Sequence, residues 1–173
     1  MNTILESDRR FGVLMFDPAQ RQISTVGCCA EIIHCQRMPD DRMKMLTLGQ
    51  QRFRVLEYVR EKPYRVGLVE WIEDHPTDKD LRSLATEVEQ LLHDVVRLSA
   101  KLTDQNMELP DDLPNLPLEL SYWVASNFYG VASEQQTLLE MQDTSARLER
   151  EAEILTSTRN HLAARTVLKD VLK

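Results

Sequence analysis

Three cysteines and a histidine lie within eight positions of one another, and these residue types bind zinc or act as nucleophiles. They are Cys28, Cys29, His34 and Cys35. A structural zinc site usually takes its ligands in closely spaced pairs, and no Cys-x-x-Cys pair occurs here. If this segment is a strand, Cys28 and Cys29 point to opposite faces. We therefore expect unreactive thiols and no bound metal, while a hydrolase with a Cys or Ser nucleophile and a histidine base stays open as a third reading.

The cysteines also bear on the cellular compartment. Three is an odd number, so they cannot all pair within the chain. Cys29 and Cys35 would share a strand face, but six residues of strand place them roughly 20 Å apart, and a disulfide needs Cα atoms within about 7 Å. Reduced thiols predict a cytoplasmic protein. Residues 1–10 lack the features of a secretion signal, and no apolar run approaches the roughly 18 residues of a membrane span.

The glycines are too dispersed to bind a nucleotide phosphate. Gly12, Gly27, Gly49, Gly67 and Gly130 are all at least fifteen residues apart. A phosphate loop needs several glycines within a few positions. The sequence therefore predicts no nucleotide cofactor and no ATPase activity.

Two groups of side chains could instead hold a peptide. Met38, Met43 and Met45 surround a turn at 39–41, and Tyr58 and Tyr64 flank a second turn at 62–63. Methionine is flexible and polarisable, so it suits surfaces that accept varied apolar segments. We predict that these five residues bind peptide, with core packing as the alternative.

The charge distribution argues against a nucleic-acid partner. The net charge is −7, and residues 1–74 balance 11 Lys+Arg against 11 Asp+Glu, so the excess lies in residues 75–173. A polyphosphate would be repelled there. Arg52 and Arg54, on one face of a predicted strand, leave RNA binding as an alternative to plain solvated charges.

The elements that must position these residues change character near residue 75. Before it, period-two patterns dominate and turn residues separate them. A short helix is expected around Ile4 and Leu5. The predicted strands are Phe11–Phe16, Val26–Cys35, Lys44–Leu48, Arg52–Tyr58 and Tyr64–Ile72. A tight turn at Gly49 is predicted to join the third and fourth as a hairpin, with Phe53 and Val55 on the face opposite the two arginines.

After residue 76 the period is helical. Thr77 and Asp80 resemble a capping box at a helix start. A heptad seam follows: Leu81, Leu84, Val88, Leu91, Val95, Leu98 and Leu102. Its three repeats favour packing on later helices of the same chain, with a dimeric coiled coil as the alternative.

Three more helices are predicted after an acidic, proline-rich loop at 109–117. The first carries an apolar stripe from Leu120 to Phe128 and ends with Gly130 as its cap. Ser133 and Gln136 form the capping box of the next. The last begins at Asp143 or Thr144, and its core face carries Leu148, Ala152, Leu155 and Leu162.

Several segments resemble the Lon protease N-terminal (substrate-binding) domain family, and they occur in the family's order. Cys28 replaces a family threonine in the second of them. The matching segments are Phe11-Gly12-Val13, Val26–Ile32, Leu48–Val55, Tyr64–Glu70, Gln136–Glu140 and Ala146-Arg147-Leu148.

The resemblance implies an α+β fold, with a small PUA-like β pseudo-barrel at residues 1–75 followed by an α-helical subdomain at 76–173. It also implies a non-catalytic part that recognises unfolded or tagged proteins, or docks a protease or chaperone partner, in protein quality control. An RNA-binding PUA-like module is the alternative. The family normally opens with an apolar, proline-containing strand that is not visible here. If the strand is missing from the chain, we expect an open slot and an unpaired sheet edge; if the native start lies upstream of Met1, we expect the upstream segment to supply the strand.

Overall fold

The computed structural model describes residues 2–128 and 132–171, and the chain divides into two compact units. The β unit is Met1–Glu73 and the helical unit is Asp74–Lys173. Strands precede helices, which confirms the predicted α+β class. No helix in the described residues is both long enough and apolar enough to cross a membrane.

The β unit is an antiparallel meander in the order β1-β2-β3-β4. Period-two patterns and the turns that interrupt them produce this order. A short helix precedes the sheet, as predicted. The elements are α1 (Asn2–Leu5), β1 (Arg10–Asp17), β2 (Gln22–Arg37), β3 (Met43–Arg60) and β4 (Val66–Ile72).

The predicted hairpin at Gly49 is wrong, because β3 runs through this glycine as one strand. Cys28 pairs with Arg52 and Ala30 pairs with Gly49, so β3 has one residue more than β2 between these pairs. This is a β-bulge, a feature that a glycine inside a strand often marks. Residues 48–53 therefore form a bulge within the long strand β3 and do not reverse the direction of the chain.

One aromatic ring organises the interior of the β unit. Phe53 is buried and meets Trp71 edge to face, with ring centroids 6.4 Å apart. The ring lies over two glycines: a Cβ on Gly12 would fall 2.7 Å from Phe53 Cζ, and one on Gly27 would fall 2.2 Å from the Val13 carbonyl oxygen. The sheet needs glycine at both positions because any side chain would collide with ring or backbone.

The helical unit consists of α2 (Arg82–Thr103), α3 (Pro117–Ser126), α4 (Ala132–Glu140) and α5 (Thr144–Val171). Its core joins α2, α3 and α5, so the heptad seam packs on later helices of the same chain as predicted. Lys169 Nζ reaches the last turn of α2 and donates to the carbonyl oxygens of Lys101 and Leu102, each at 3.1 Å. The central buried residues are Leu81, Val88, Leu91, Leu120, Val124, Leu148 and Leu155.

Two of the predicted caps differ from those observed. Helix α2 begins at Arg82, two residues after the predicted capping box ends. Thr77 accepts the Lys79 amide at 3.2 Å, and Asp80 accepts the Arg82 amide at 3.1 Å. Thr77 and Asp80 therefore form two separate local turns and not one capping box. Ser133 lies inside α4, not before it. Helix α5 begins where it was predicted, at Asp143 or Thr144, and Asp143 is its cap.

The Asp143 carboxylate accepts the amides of Ser145 and Ala146 at 2.8 and 3.2 Å. The predicted cap at Gly130 lies outside the described residues.

Candidate functional site

A groove with apolar walls opens on the β unit near the turn between β1 and β2. Its volume is about 410 Å³. Phe16 and Leu56 line it, and they are 55% and 57% exposed. This is far more exposure than large apolar side chains have in a protein core. The other apolar lining residues are Ile23, Val55 and Tyr58. We call this feature the apolar groove.

Strand irregularities place these side chains together. Phe16 pairs with Ile23 across a register shift in β1 and β2. On the other wall Val55 pairs with Val69 and Glu57 with Leu68, so Leu56 is an extra residue in β3. Such a bulge turns a side chain out of the regular alternation, and it accounts for an exposed leucine beside a half-buried valine.

The rim of the groove carries charge. Arg21 and Arg65 line it together with Glu57. The Arg65 guanidinium lies over the Tyr58 ring, with Cζ 5.0 Å from the ring centroid. Arg60 lies in the same way over Tyr64, at 4.9 Å. These cation–π contacts fix two guanidinium groups against the aromatic residues of this end of the sheet.

The five predicted peptide-binding residues do not form one patch. Tyr58 lines the apolar groove, and Tyr64 lies beside Arg60. Met45, which is 37% exposed, is thirteen residues before Tyr58 in β3, and that is roughly 40 Å of strand path at about 3.3 Å per residue.

Met38 and Met43 are half-buried and close the β2–β3 hairpin, where the Met38 amide donates to the Arg42 carbonyl at 2.7 Å. The structure therefore offers two separate surfaces, one at each end of β3. Sequence reasoning found Tyr58 from its place beside a turn, and it missed Phe16, Ile23 and Leu56.

The predicted arginine face is only partly exposed. Arg52 is 5% exposed, so it is not a solvated charge, and this expectation is wrong. Arg54 is half-buried and lies 3.9 Å from Glu70 of β4. Arg52 pairs in register with Cys28 and Ile72 of the neighbouring strands and lies on the face opposite Phe53. This removes one of the two groups on which the RNA alternative was based.

The cysteines lie along β2 as separate thiols. Burial raises the pKa of Cys28, although its hydrogen bond to the Gln50 carbonyl at 3.4 Å opposes the shift. Burial also raises the pKa of Cys29. A raised pKa keeps the thiol protonated and poorly nucleophilic. Within residues 2–128 and 132–171, no three His, Cys, Asp or Glu side chains converge on a possible metal position.

A buried ion pair lies inside the helical unit. The Arg147 side chain is fully buried, and its Nη2 atom lies 2.5 Å from Asp74 Oδ2. The Tyr122 hydroxyl and the Thr144 hydroxyl also donate to this carboxylate, at 2.9 and 2.7 Å. Arg147 Nε donates to Ser121 Oγ at 2.8 Å. Burial raises the pKa of Asp74, but these donors outweigh it and lower that pKa to about 2.

Glu151 lies one helical turn after Arg147 and is 0% exposed. Neither of its carboxylate oxygens has a hydrogen-bond partner within the described part of the chain. Burial raises the pKa of Glu151 to about 9, and the charge of Arg147 only partly opposes this. Glu151 is therefore protonated at neutral pH. Both groups are enclosed by helices, so we assign them to the stability of the unit.

Comparison with known proteins gives one consistent family. The sequence profile of the ATP-dependent protease La (LON) substrate-binding domain matches residues 1–157. The chain is 28% identical over 159 residues to Lon protease of Anaeromyxobacter dehalogenans, covering 91% of this chain and 19% of that protein. Lon protease 2 of Myxococcus xanthus matches with the same identity and coverage. The chain thus spans about a fifth of the curated relatives it matches.

Two solved structures share the fold. A Lon N-terminal domain protein from Xanthomonas campestris has a TM-score of 0.58 at 22% identity, covering 86% of this chain and 78% of that one. The N-terminal domain of a Mycobacterium avium complex Lon protease has a TM-score of 0.60 at 16% identity, covering 86% and 77%. At these identities the likeness concerns the fold alone.

Proposed function

This chain belongs to the ATP-dependent protease La (LON) substrate-binding domain family, and we propose that it recognises exposed apolar segments of other proteins without acting on them chemically. The observation that supports this most directly is the apolar groove, where Phe16 and Leu56 present more than half of their surfaces to solvent. Exposed apolar surface of this kind marks binding sites in folded proteins.

Other apolar side chains of the β unit are exposed as well, on both faces of the sheet. Those on the side of the groove would strengthen the binding of an extended segment, because each apolar side chain contributes about 1.5–3 kcal/mol when fully covered. The exposed apolar residues are Val13, Ile33, Leu46, Leu48, Val59, Leu68 and Trp71.

We propose the methionine end of β3 as a second contact. Met38, Met43 and Met45 would hold a distant part of the same segment, or dock a protease or chaperone partner. The separation from the apolar groove suits a long, unfolded client, whose chain spans tens of ångströms when extended. A short peptide would occupy one surface only.

In this proposal the chain supplies recognition, and any degradation is carried out elsewhere. The matched relatives are Lon proteases, and this chain corresponds to about a fifth of their length. A cytoplasmic location, a role in protein quality control and the lack of a nucleic-acid partner belong to the same proposal. The acidic helical unit and the buried Arg52 support the last of these.

The test is binding to a permanently unfolded protein. Fluorescein-labelled α-lactalbumin, reduced and carboxymethylated, is titrated with the chain and followed by anisotropy, with native α-lactalbumin as the negative control. We expect the Phe16→Ser/Leu56→Ser double variant to bind at least about tenfold more weakly. A Met45→Ser variant measures the contribution of the second surface.

The matched control is Val167→Ser/Leu168→Ser, which removes two equally exposed apolar side chains from α5. Equal affinity for native and unfolded protein would refute the proposal, and so would equal losses in the two double variants. Displacement of the unfolded protein by a single-stranded RNA oligonucleotide would favour the RNA alternative.

A further inference from the structure

We propose that the apolar groove selects among apolar segments by charge: it binds an extended segment in which an apolar side chain stands next to a carboxylate. The inference rests on the function proposed above and adds the chemical class of the segment. Its basis is the pair of arginines on the rim of the groove.

The two arginines come from different turns. Arg21 ends the β1–β2 turn with a left-handed φ of 53°, directly before β2 begins. Arg65 directly precedes β4, and its guanidinium rests on the Tyr58 ring. Both line the groove whose walls are Phe16 and Leu56. An apolar side chain held between those walls therefore has a guanidinium within reach of its neighbours in the segment.

Neither arginine is neutralised by an ion pair with a carboxylate in the part of the chain that the structure describes. Glu57 is the acidic group among the lining residues, and it stands against two guanidinium groups. Arg60, stacked on Tyr64 close by in sequence, does not line the groove, and the adjacent Glu61 carries the opposite charge.

An excess of positive charge around an apolar groove has a definite consequence for selectivity. A carboxylate beside the bound apolar side chain gains a guanidinium partner, and arginine can bind it through two parallel hydrogen bonds. A lysine at the same place meets like charge, which disfavours binding. A neutral residue lies between these two cases.

The experiment compares three short fluorescein-labelled peptides that share one Leu-Phe pair and carry Asp, Asn or Lys beside it. We expect the Asp peptide to bind roughly fivefold more tightly than the Asn peptide at low ionic strength, and the Lys peptide to bind more weakly than both. Raising the salt concentration should reduce these ratios, because exposed charges are screened.

Variants then locate the selectivity. In Arg21→Gln/Arg65→Gln the ratio between Asp and Asn peptides should fall to about one, and in Arg21→Glu/Arg65→Glu the Lys peptide should bind best. The control is Arg82→Gln, an exposed arginine of the helical unit that pairs with Asp80, and its ratio should equal that of the unaltered chain. All three arginines are exposed, and circular dichroism verifies folding.

The possible outcomes separate the two proposals. If the three peptides bind equally well, the charge preference is refuted and apolar recognition stands. If the preference survives in the double Gln variant, other charges cause it and the assignment to Arg21 and Arg65 is refuted. If none of the peptides binds, apolar recognition itself fails, and the charge preference with it.

Discussion

Replacing Glu151 by glutamine should remove most of the pH dependence that this residue gives to folding. The carboxyl is fully buried on α5 without a hydrogen-bond partner in the described residues, and its pKa is raised to about 9 in the folded chain. Glutamine has nearly the same shape and, like the protonated carboxyl, carries no charge. The substitution therefore changes the titration with little change in packing.

The sign and size follow from the two pKa values. In the unfolded chain the group titrates near 4.5, and in the folded chain near 9, so the folded state holds one extra proton between these values. Stability from this group is complete below pH 4.5 and decreases as the pH rises towards 9, by about 1.4 kcal/mol per pH unit. From pH 5 to pH 8 the loss is about 4 kcal/mol, a large part of a typical stability of 5–15 kcal/mol.

The assay is urea unfolding followed by helical circular dichroism at pH 5, 6, 7 and 8. The difference in unfolding free energy between Glu151→Gln and the unaltered chain should grow by about 4 kcal/mol across this range, with the variant becoming relatively more stable as the pH rises. Glu153→Gln is the control, because that side chain is 68% exposed on the same helix and should leave the difference constant.

A flat difference for Glu151→Gln would mean that the carboxyl titrates normally and has a partner or water access.

Below pH 4 a different carboxyl makes stability depend on pH. Asp74, with a pKa lowered to about 2, loses its stabilising charge only as the pH falls from about 4 towards 2, and the ion pair with Arg147 is lost with it.

The remaining predictions concern packing and the absence of catalysis. Gly27→Ala should destabilise the β unit by about 1–3 kcal/mol, since its Cβ would lie 2.2 Å from the Val13 carbonyl oxygen, whereas Gly49→Ala meets only an ordinary 3.5 Å contact and should be nearly neutral in thermal melts. Leu91→Asp should unfold the helical unit, because an unpaired buried charge costs several kcal/mol, whereas His93→Asp on the exposed side of α2 should leave helical circular dichroism intact. The purified chain alone should neither hydrolyse ATP nor degrade casein, and ATP-dependent proteolysis by it would overturn the recognition role.

Hydrophobic periodicity predicted the order of elements because it depends on local spacing alone. The seam of α2 and the capping of α5 by Asp143 follow from patterns within one helix. At Gly49 the local rule fails. Glycine there fits a turn or a bulge equally well, and the pairing with Ala30 of β2, nineteen residues away, decides for the bulge.

The apolar groove could not be predicted for a related reason. Phe16 and Leu56 are forty residues apart, and they line one groove because of irregular pairing: the extra residues of β2 place Ile23 opposite Phe16, and Leu56 is itself the extra residue of a bulge in β3. A pattern of alternating faces assigns each residue to one side of a sheet, and a bulge reverses that assignment from its position onward. Tyr58 was accessible to sequence reasoning since its place beside a turn does not depend on register.

The buried charges of α5 could have been recognised from their positions in the sequence, although a hydrophobicity pattern alone does not reveal them. Leu148 and Leu155 define the buried stripe of this helix, and Arg147 and Glu151 lie on the same side of it. Oppositely charged side chains four residues apart on a helix are close enough to form an ion pair with each other. Here Arg147 pairs with Asp74, which lies 73 positions earlier in the sequence. Glu151 therefore has no counter-ion and is neutral because it keeps its proton. A charge on a core stripe therefore indicates a distant partner, and the neighbour that lacks one is where the pH dependence of folding should be sought.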